Sequence, residues 1–201
     1  MTYPCDVLAE VGYQSAGREE EVSEQERIWH WPIVTMKERL YASMICWEGW
    51  QFVVVSSQEG TCYIDLCGTP LTELSRELHS TVVPDDYHNF SILHELREYL
   101  AGQRRAFSPP PYMQGTPFQR SVWDAVLEIP YGRTCSYSGI AAAIGRPRAA
   151  RAVGGAVRAN PLPIIVPCHR VIGKNGKLVG FGGGLALKER LLALEQGSLD
   201  L

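Results

Sequence analysis

The chain has 201 residues, of which 45% are hydrophobic and 20% charged, and it carries a formal net charge of −3 at pH 7. These proportions exclude a disordered or fibrous chain, and the length suffices for one large domain or two small ones. No apolar run approaches the roughly 20 residues that a membrane helix requires, so no membrane partner is expected.

The opening 27 residues are polar and acidic, ending in REEEVSEQER, and read as a loose arm. They lack a basic segment followed by an apolar one, so no secretory leader is expected. LYASMICWEGWQFVVVSSQEGTCYIDLCG is rich in β-branched and aromatic residues and predicts at least two strands around a turn near Ser57–Gly60. Leu71 to His79 predicts a short helix. NFSILHELREYLAG places Ile92, Leu93, Leu96, Tyr99 and Leu100 on one face of a helix that Gly102 stops. FSPPPYMQG, Phe107 to Gly115, marks a boundary, because its prolines suit neither helix nor ladder. The chain thus divides into an arm (1–27), a first domain (28–108) and a second (109–201).

In the second domain Thr116, Pro117 and Gln119 form the start of a capped helix whose stripe is Phe118, Val122, Val126 and Leu127. Ser136 can cap YSGIAAAIG, which Gly145 closes. Pro147 opens PRAARAVGGAVRAN, which Pro161 stops. Two short helices around a Gly-containing turn suggest a helix-turn-helix. The second contains Gly154 and Gly155 among tiny residues, at a propensity cost of about 1–2 kcal/mol. Either another helix or a nucleic-acid backbone packs closely there; Arg148, Arg151 and Arg158 on the same segment favour the nucleic acid. GGLALKERLLALEQG is a final helix with Leu187, Leu191 and Leu194 inward.

The charge is unevenly spread. From Ile129 to Lys188 there is no Asp or Glu, but there are nine basic residues: Arg133, Arg146, Arg148, Arg151, Arg158, Arg170, Lys174, Lys177 and Lys188. Such a stretch is either a polyanion-binding surface or a basic face paired with the acidic half. Six scattered cysteines (Cys5, Cys46, Cys62, Cys67, Cys135, Cys168) without CxxC point to reduced, intracellular thiols. The Cys62 and Cys67 spacing is unlike common zinc pairs, and no metal is expected. Cys168 stands behind NPLPIIVP and before His169. A cysteine after such a run is either small core packing or a reactive thiol. For His169 to deprotonate it, the backbone must turn at Pro167–Cys168, since neighbours in an extended chain point opposite ways.

VPCHRVIG resembles the PCHRV signature of the O6-alkylguanine-DNA alkyltransferases, the methylated-DNA–protein-cysteine methyltransferases. The resemblance runs from Phe118 to Glu195 and includes SY, ARAVGGAVRAN and GGLALKERLLALE in order. It implies an α/β chain: a strand-rich, ribonuclease-H-like N-terminal domain, and a helical, winged-helix-like C-terminal domain with a helix-turn-helix. The N-terminal half matches only in style.

The function implied is direct-reversal DNA repair. The alkyl group of O6-alkylguanine, or of O4-alkylthymine, passes irreversibly to Cys168, once per molecule. By the same resemblance His169 takes the thiol proton through a water, Glu195 holds the imidazole in its tautomer, and Asn160 braces the loop carrying the cysteine. The base must leave the duplex; Arg151 matches the residue that fills its place. Tyr137 matches the tyrosine that crowds the 3′ phosphate and serves the departing guanine. Ser136, Gly154, Gly155 and Arg158 belong to the DNA-binding surface. A helix in the minor groove meets a degenerate base code, so binding would be salt-dependent and nearly independent of sequence.

Val157 and Phe181 would wall the guanine, and the carbonyls of Cys168 and Val171 would receive its amine. Phe181 and Gly182 stand where some relatives carry tyrosine and serine, so the hydroxyls are lost and the pocket is more open. The zinc ligands of some members have no counterpart. The expected partner is double-stranded DNA with alkylated guanine, bound by a monomer without cofactor, in the cytoplasm or, in a eukaryote, the nucleus. Two other classes remain to be separated: a lesion binder without chemistry, in which another residue replaces the cysteine, and a cysteine hydrolase, against which the lack of an oxyanion motif argues.

Overall fold

The computed structural model describes residues 39–108 and 113–197. The acidic arm, and the prolines at the expected boundary, lie outside the described residues. Three strands fill the first apolar stretch, where at least two were expected: β1 (Arg39–Trp47), β2 (Trp50–Ser57) and β3 (Gly60–Asp65). The expected turn joins β2 to β3. The additional one is Glu48–Gly49, where φ is 48° and 89° and Trp47 pairs with Trp50. Positive φ at both central residues is the geometry of a type I′ hairpin.

A four-residue strand, β4 (Thr81–Pro84), lies parallel to β1, and the sheet order is β3-β2-β1-β4. β2 is interior and covered on both faces, which is why its apolar residues run without alternation. Val53 and Val55 face Leu74 of α1 (Leu71–Glu77), while Phe52 and Val54 face the main core. α2 (Phe90–Leu100) buries Leu93, Leu96, Tyr99 and Leu100 in that same core.

The second half adds its helices to this core. α3 (Pro117–Leu127) starts with the expected capping box: the Gln119 amide donates to the Thr116 hydroxyl at 3.2 Å, and the Thr116 amide to the Gln119 side chain at 2.9 Å. Its buried face is Val122, Trp123, Ala125 and Val126, with Phe118 and Leu127 only partly covered. β5 (Cys135–Ser136) pairs in parallel with β6 (Val171–Ile172), setting the start of α4 (Tyr137–Ala143) beside the Cys168 loop. Ser136 caps α4, accepting from the Gly139 amide at 3.1 Å.

α5 (Ala150–Arg158) begins three residues later than expected. Arg146 to Ala149 form a turn closed by the Ala149 amide on the Arg146 carbonyl, so Pro147 and Arg148 precede the helix. Trp123 ties α3 to α5 by donating to the Ala156 carbonyl at 2.8 Å. α6 (Gly184–Glu195) turns Leu187, Leu191 and Leu192 inward, together with two charged residues, Lys188 and Glu195. Gly183 admits this helix: a Cβ there would stand 2.5 Å from Leu187 Cδ2 and 3.1 Å from Leu66 Cβ.

Candidate active site

The site is built on a loop that the sequence forces to bend. Asn160 follows the end of α5. Its side-chain amide donates to the Val166 carbonyl at 2.9 Å, and its side-chain oxygen accepts from the Leu162 amide at 3.0 Å. Between them Ile164 has φ 75°, a conformation that β-branched residues rarely adopt. Its side chain is buried, as are Leu162, Ile165 and Val166, so the core holds the bend in place. The edge strand of the sheet braces the same loop, with the Ile64 amide donating to the Pro161 carbonyl at 2.8 Å.

At the loop's end the backbone makes the turn required of it: Cys168–Arg170 is a 3-10 turn. Cys168 and His169 are both buried. His169 Nε2 lies 2.9 Å from Glu195 Oε1, and an ionised carboxylate only accepts, so Nε2 carries the hydrogen. Nδ1 then holds the lone pair, and it has no hydrogen-bond partner among the described residues.

Glu195 is held from several sides. Arg170 donates to it through Nε at 3.0 and 2.9 Å and through a terminal nitrogen at 2.8 Å. The Gly132 amide donates to Oε2 at 3.0 Å, and the Tyr99 hydroxyl donates to Oε1. Gly132 has φ 74°, and a Cβ there would meet the Glu195 carbonyl at 2.9 Å.

Burial raises the pKa of Glu195, but the hydrogen bonds of His169 and Arg170 and the Arg170 charge outweigh it and hold the carboxyl at about 2. Burial pushes the Cys168 thiol up, against the opposing pull of Asn160 and Lys188. Burial pushes His169 down, although Glu195 pulls it up. The two neighbours are therefore both neutral at rest. Moving the proton from sulfur to Nδ1 creates a pair of charges that Glu195 supports on one side and Asn160 and Lys188 on the other. This arrangement can supply a thiolate without holding one permanently.

Other sequence-selected residues surround this centre or lie apart from it. Tyr137 is half-buried, with its hydroxyl 3.5 Å from the Val179 carbonyl; burial and then the nearby Cys168 raise its pKa. Phe181 stands edge-on to the His169 ring, with centroids 6.4 Å apart. Val157 and Val171 are buried, and Gly182 is exposed. The Cys168 carbonyl accepts from the Val171 amide, and the Val171 carbonyl accepts from Lys188 Nζ at 2.6 Å. Each carbonyl oxygen keeps a second lone pair for another donor.

Arg151 and Arg158 are exposed on α5, and Arg148 is exposed in the turn before it. A Cβ on Gly154 would come 3.8 Å from the Tyr137 ring, and one on Gly155 would meet nothing within 4 Å. Among the described residues no other helix packs against Gly155.

Three residues of the site went unread in the sequence. Arg170 and Lys188 count among the nine basic residues, yet both are buried and point inward; the other seven are exposed. The signal for Lys188 was its place between Leu187 and Leu191 on an inward face. Tyr99 reads as a core aromatic, and nothing local marks its hydroxyl.

The comparisons agree with this geometry. The family model for the 6-O-methylguanine DNA methyltransferase DNA-binding domain matches residues 117–197. The inducible methylated-DNA–protein-cysteine methyltransferase of Bacillus subtilis is 44% identical over 167 residues, covering 81% of this chain and 93% of that protein. The chain belongs to the methylated-DNA–protein-cysteine methyltransferase family. Another methyltransferase of this name, from Mycobacterium tuberculosis, is 49% identical over 136 residues, 64% of this chain and 82% of that one. The solved O6-methylguanine methyltransferase of M. tuberculosis superimposes with a TM-score of 0.69 at 38% identity, covering 79% of this chain and 93% of that one. An M. tuberculosis OGT structure in complex with DNA gives a TM-score of 0.69 at 39% identity, with the same two coverages. The mixed α/β architecture, a sheet with six helices among the described residues, is that of these structures.

Proposed function

We propose that this methyltransferase repairs O6-alkylguanine in duplex DNA by moving the alkyl group to Cys168. The observation that carries this reading is the buried Glu195–His169 bond, which leaves Nδ1 as an unpartnered lone pair on the residue that follows a buried thiol. The thiol proton passes through a water to Nδ1, and the sulfur's electron pair forms the S–C bond. The C–O pair stays with the guanine oxygen, and the guanine ends with the proton that the thiol gave up. The product thioether has no route back, so each molecule reacts once. No cofactor enters the balance.

Tyr137 serves the departing guanine and crowds the phosphate of the extruded nucleotide. Val157, Phe181 and Gly182 line the pocket, and Asn160 braces the loop. O4-alkylthymine is the second substrate. Arg151 fills the stack, while Ser136, Gly154, Gly155 and Arg158 line the DNA face. The open space beyond Gly155 supports that assignment, because the sequence bears the cost of glycine there without an internal partner. Residues 28–108 form the ribonuclease-H-like domain and 109–201 the winged-helix-like domain, acting as a monomer in the cytoplasm or nucleus. Among the described residues no helix is long and apolar enough to cross a membrane.

The test is a duplex carrying radiolabelled O6-methylguanine. Stoichiometric label on Cys168 is expected. Binding without label would indicate the lesion binder, and multiple turnovers would contradict a consumed cysteine.

A further inference from the structure

We infer that Tyr99, from the sheet half of the chain, is a positioning residue that tempers Glu195 and so keeps His169 neutral until Cys168 gives up its proton. This inference rests on the alkyl-transfer reading above. The matched DNA-binding domain spans residues 117–197 and leaves Tyr99 outside it.

The geometry assigns the role. The Tyr99 side chain is fully buried, and its ring is held between Phe107, centroids 5.2 Å apart, and the edge-on ring of Tyr131 at 6.0 Å. Its hydroxyl donates to Glu195 Oε1, the same oxygen that takes the hydrogen from His169 Nε2, and it lies 3.3 Å from that nitrogen. A phenol so placed has packed in its ring and spent its only hydrogen on the carboxylate. Burial, and then the Glu195 charge, push its pKa well up, so it remains a donor through the working range.

The titratable and charged groups set against the imidazole are Glu195, Arg170, Lys188 and Tyr99, with Tyr131 near Glu195. Glu195 alone among them draws a proton onto His169; Arg170 and Lys188 oppose it. If that draw were too strong, His169 would take its proton from solvent and Nδ1 would be occupied before the thiol could use it. A hydroxyl donating to Oε1 withdraws part of the carboxylate's charge and weakens the draw. Tyr99 keeps its own proton throughout; the transferred one travels from sulfur to Nδ1.

The test is Tyr99→Phe, which retains the ring and removes the hydroxyl. The reaction of free O6-benzylguanine with the full-length protein is followed from pH 5 to 9. The acid limb of the rate is expected to move up by about one pH unit, a loss of about tenfold at the acid end, with the maximum rate within about twofold of wild type. Substitution of Tyr99 by 3-fluorotyrosine, a stronger donor of the same shape, is expected to move the limb the opposite way and serves if the Phe variant folds poorly. An unmoved limb, or a loss equal at every pH, overturns the inference and reduces Tyr99 to packing. Failure of the wild type to label Cys168 overturns the functional reading instead.

Discussion

Lys188 Nζ donates to the Val171 carbonyl at 2.6 Å and to that of Val179 at 3.0 Å, placing a buried cation beside Cys168. Burial lowers its pKa from 10.5 to about 8, with the Cys168 charge opposing. The lysine is thus charged at neutral pH and loses its charge as pH rises through about 8. That charge pulls the Cys168 pKa down, against the larger effect of burial. Lys188→Met is expected to slow alkyl transfer to Cys168 at pH 7 by about tenfold or more. The wild-type rate on free O6-benzylguanine is expected to fall above about pH 8, and the variant should lack that fall. A variant that keeps it would remove Lys188 from the thiolate's support.

Asn160 joins both ends of the loop that presents the nucleophile. Asn160→Ala removes the partner of the Leu162 amide and one of the two donors to the Val166 carbonyl, which keeps the Cys168 amide. Two lost hydrogen bonds at a part-buried site cost about 2–3 kcal/mol. Urea unfolding should show that loss, and transfer should slow beyond what the lower folded fraction explains. A variant of wild-type rate would make the brace structural only.

Glu195 gives the fold an acid dependence. Its pKa is depressed in the folded protein, from 4.5 to about 2, so its contribution is complete above about pH 5 and is lost as pH falls toward 2. The shift amounts to about 3 kcal/mol. Glu195→Gln leaves the buried Arg170 without its carboxylate, at about 3–5 kcal/mol. The variant's unfolding midpoint is expected to be lower at pH 7 and flatter between pH 5 and 2. Parallel wild-type and variant curves over that range would refute the assignment.

Local chemistry explains what the sequence makes legible here. The Thr116–Gln119 capping box, the Ser136 cap and the apolar face of α2 each depend on residues a few positions apart. Cys168, His169 and Glu195 were legible through the family's spacing rather than through any local rule. What escaped depends on partners distant in the chain. β4 is a four-residue edge whose only pairing is with β1. The Glu48–Gly49 turn begins with a glutamate, a residue that does not announce positive φ. Arg170 and Lys188 carry the look of solvated charges, and only the folded core shows that Glu195 and two carbonyls have drawn them in. Tyr99 lies 96 positions from the carboxylate it serves.

Arg151 is exposed near the start of α5. The proposed role of Arg151 is on the duplex and not on the thiol. Arg151→Ala is expected to lose most repair of O6-methylguanine in duplex DNA while reacting with free O6-benzylguanine at close to the wild-type rate. Equal losses on both substrates would defeat the assignment of Arg151 to the base stack. Cys168→Ala should bind the same duplex and transfer nothing.

Gly155 separates stability from DNA binding most cleanly. It lies within α5, and a methyl group there meets nothing within 4 Å among the described residues. Gly155→Ala should stabilise the fold by about 0.5–1 kcal/mol, because alanine loses less backbone freedom on entering a helix. If the bare backbone exists for close approach to DNA, the added methyl stands between helix and duplex. Duplex affinity and repair should then fall while the reaction with free base stays unchanged. A variant both more stable and equally active on duplex DNA would show that the glycine serves no such contact.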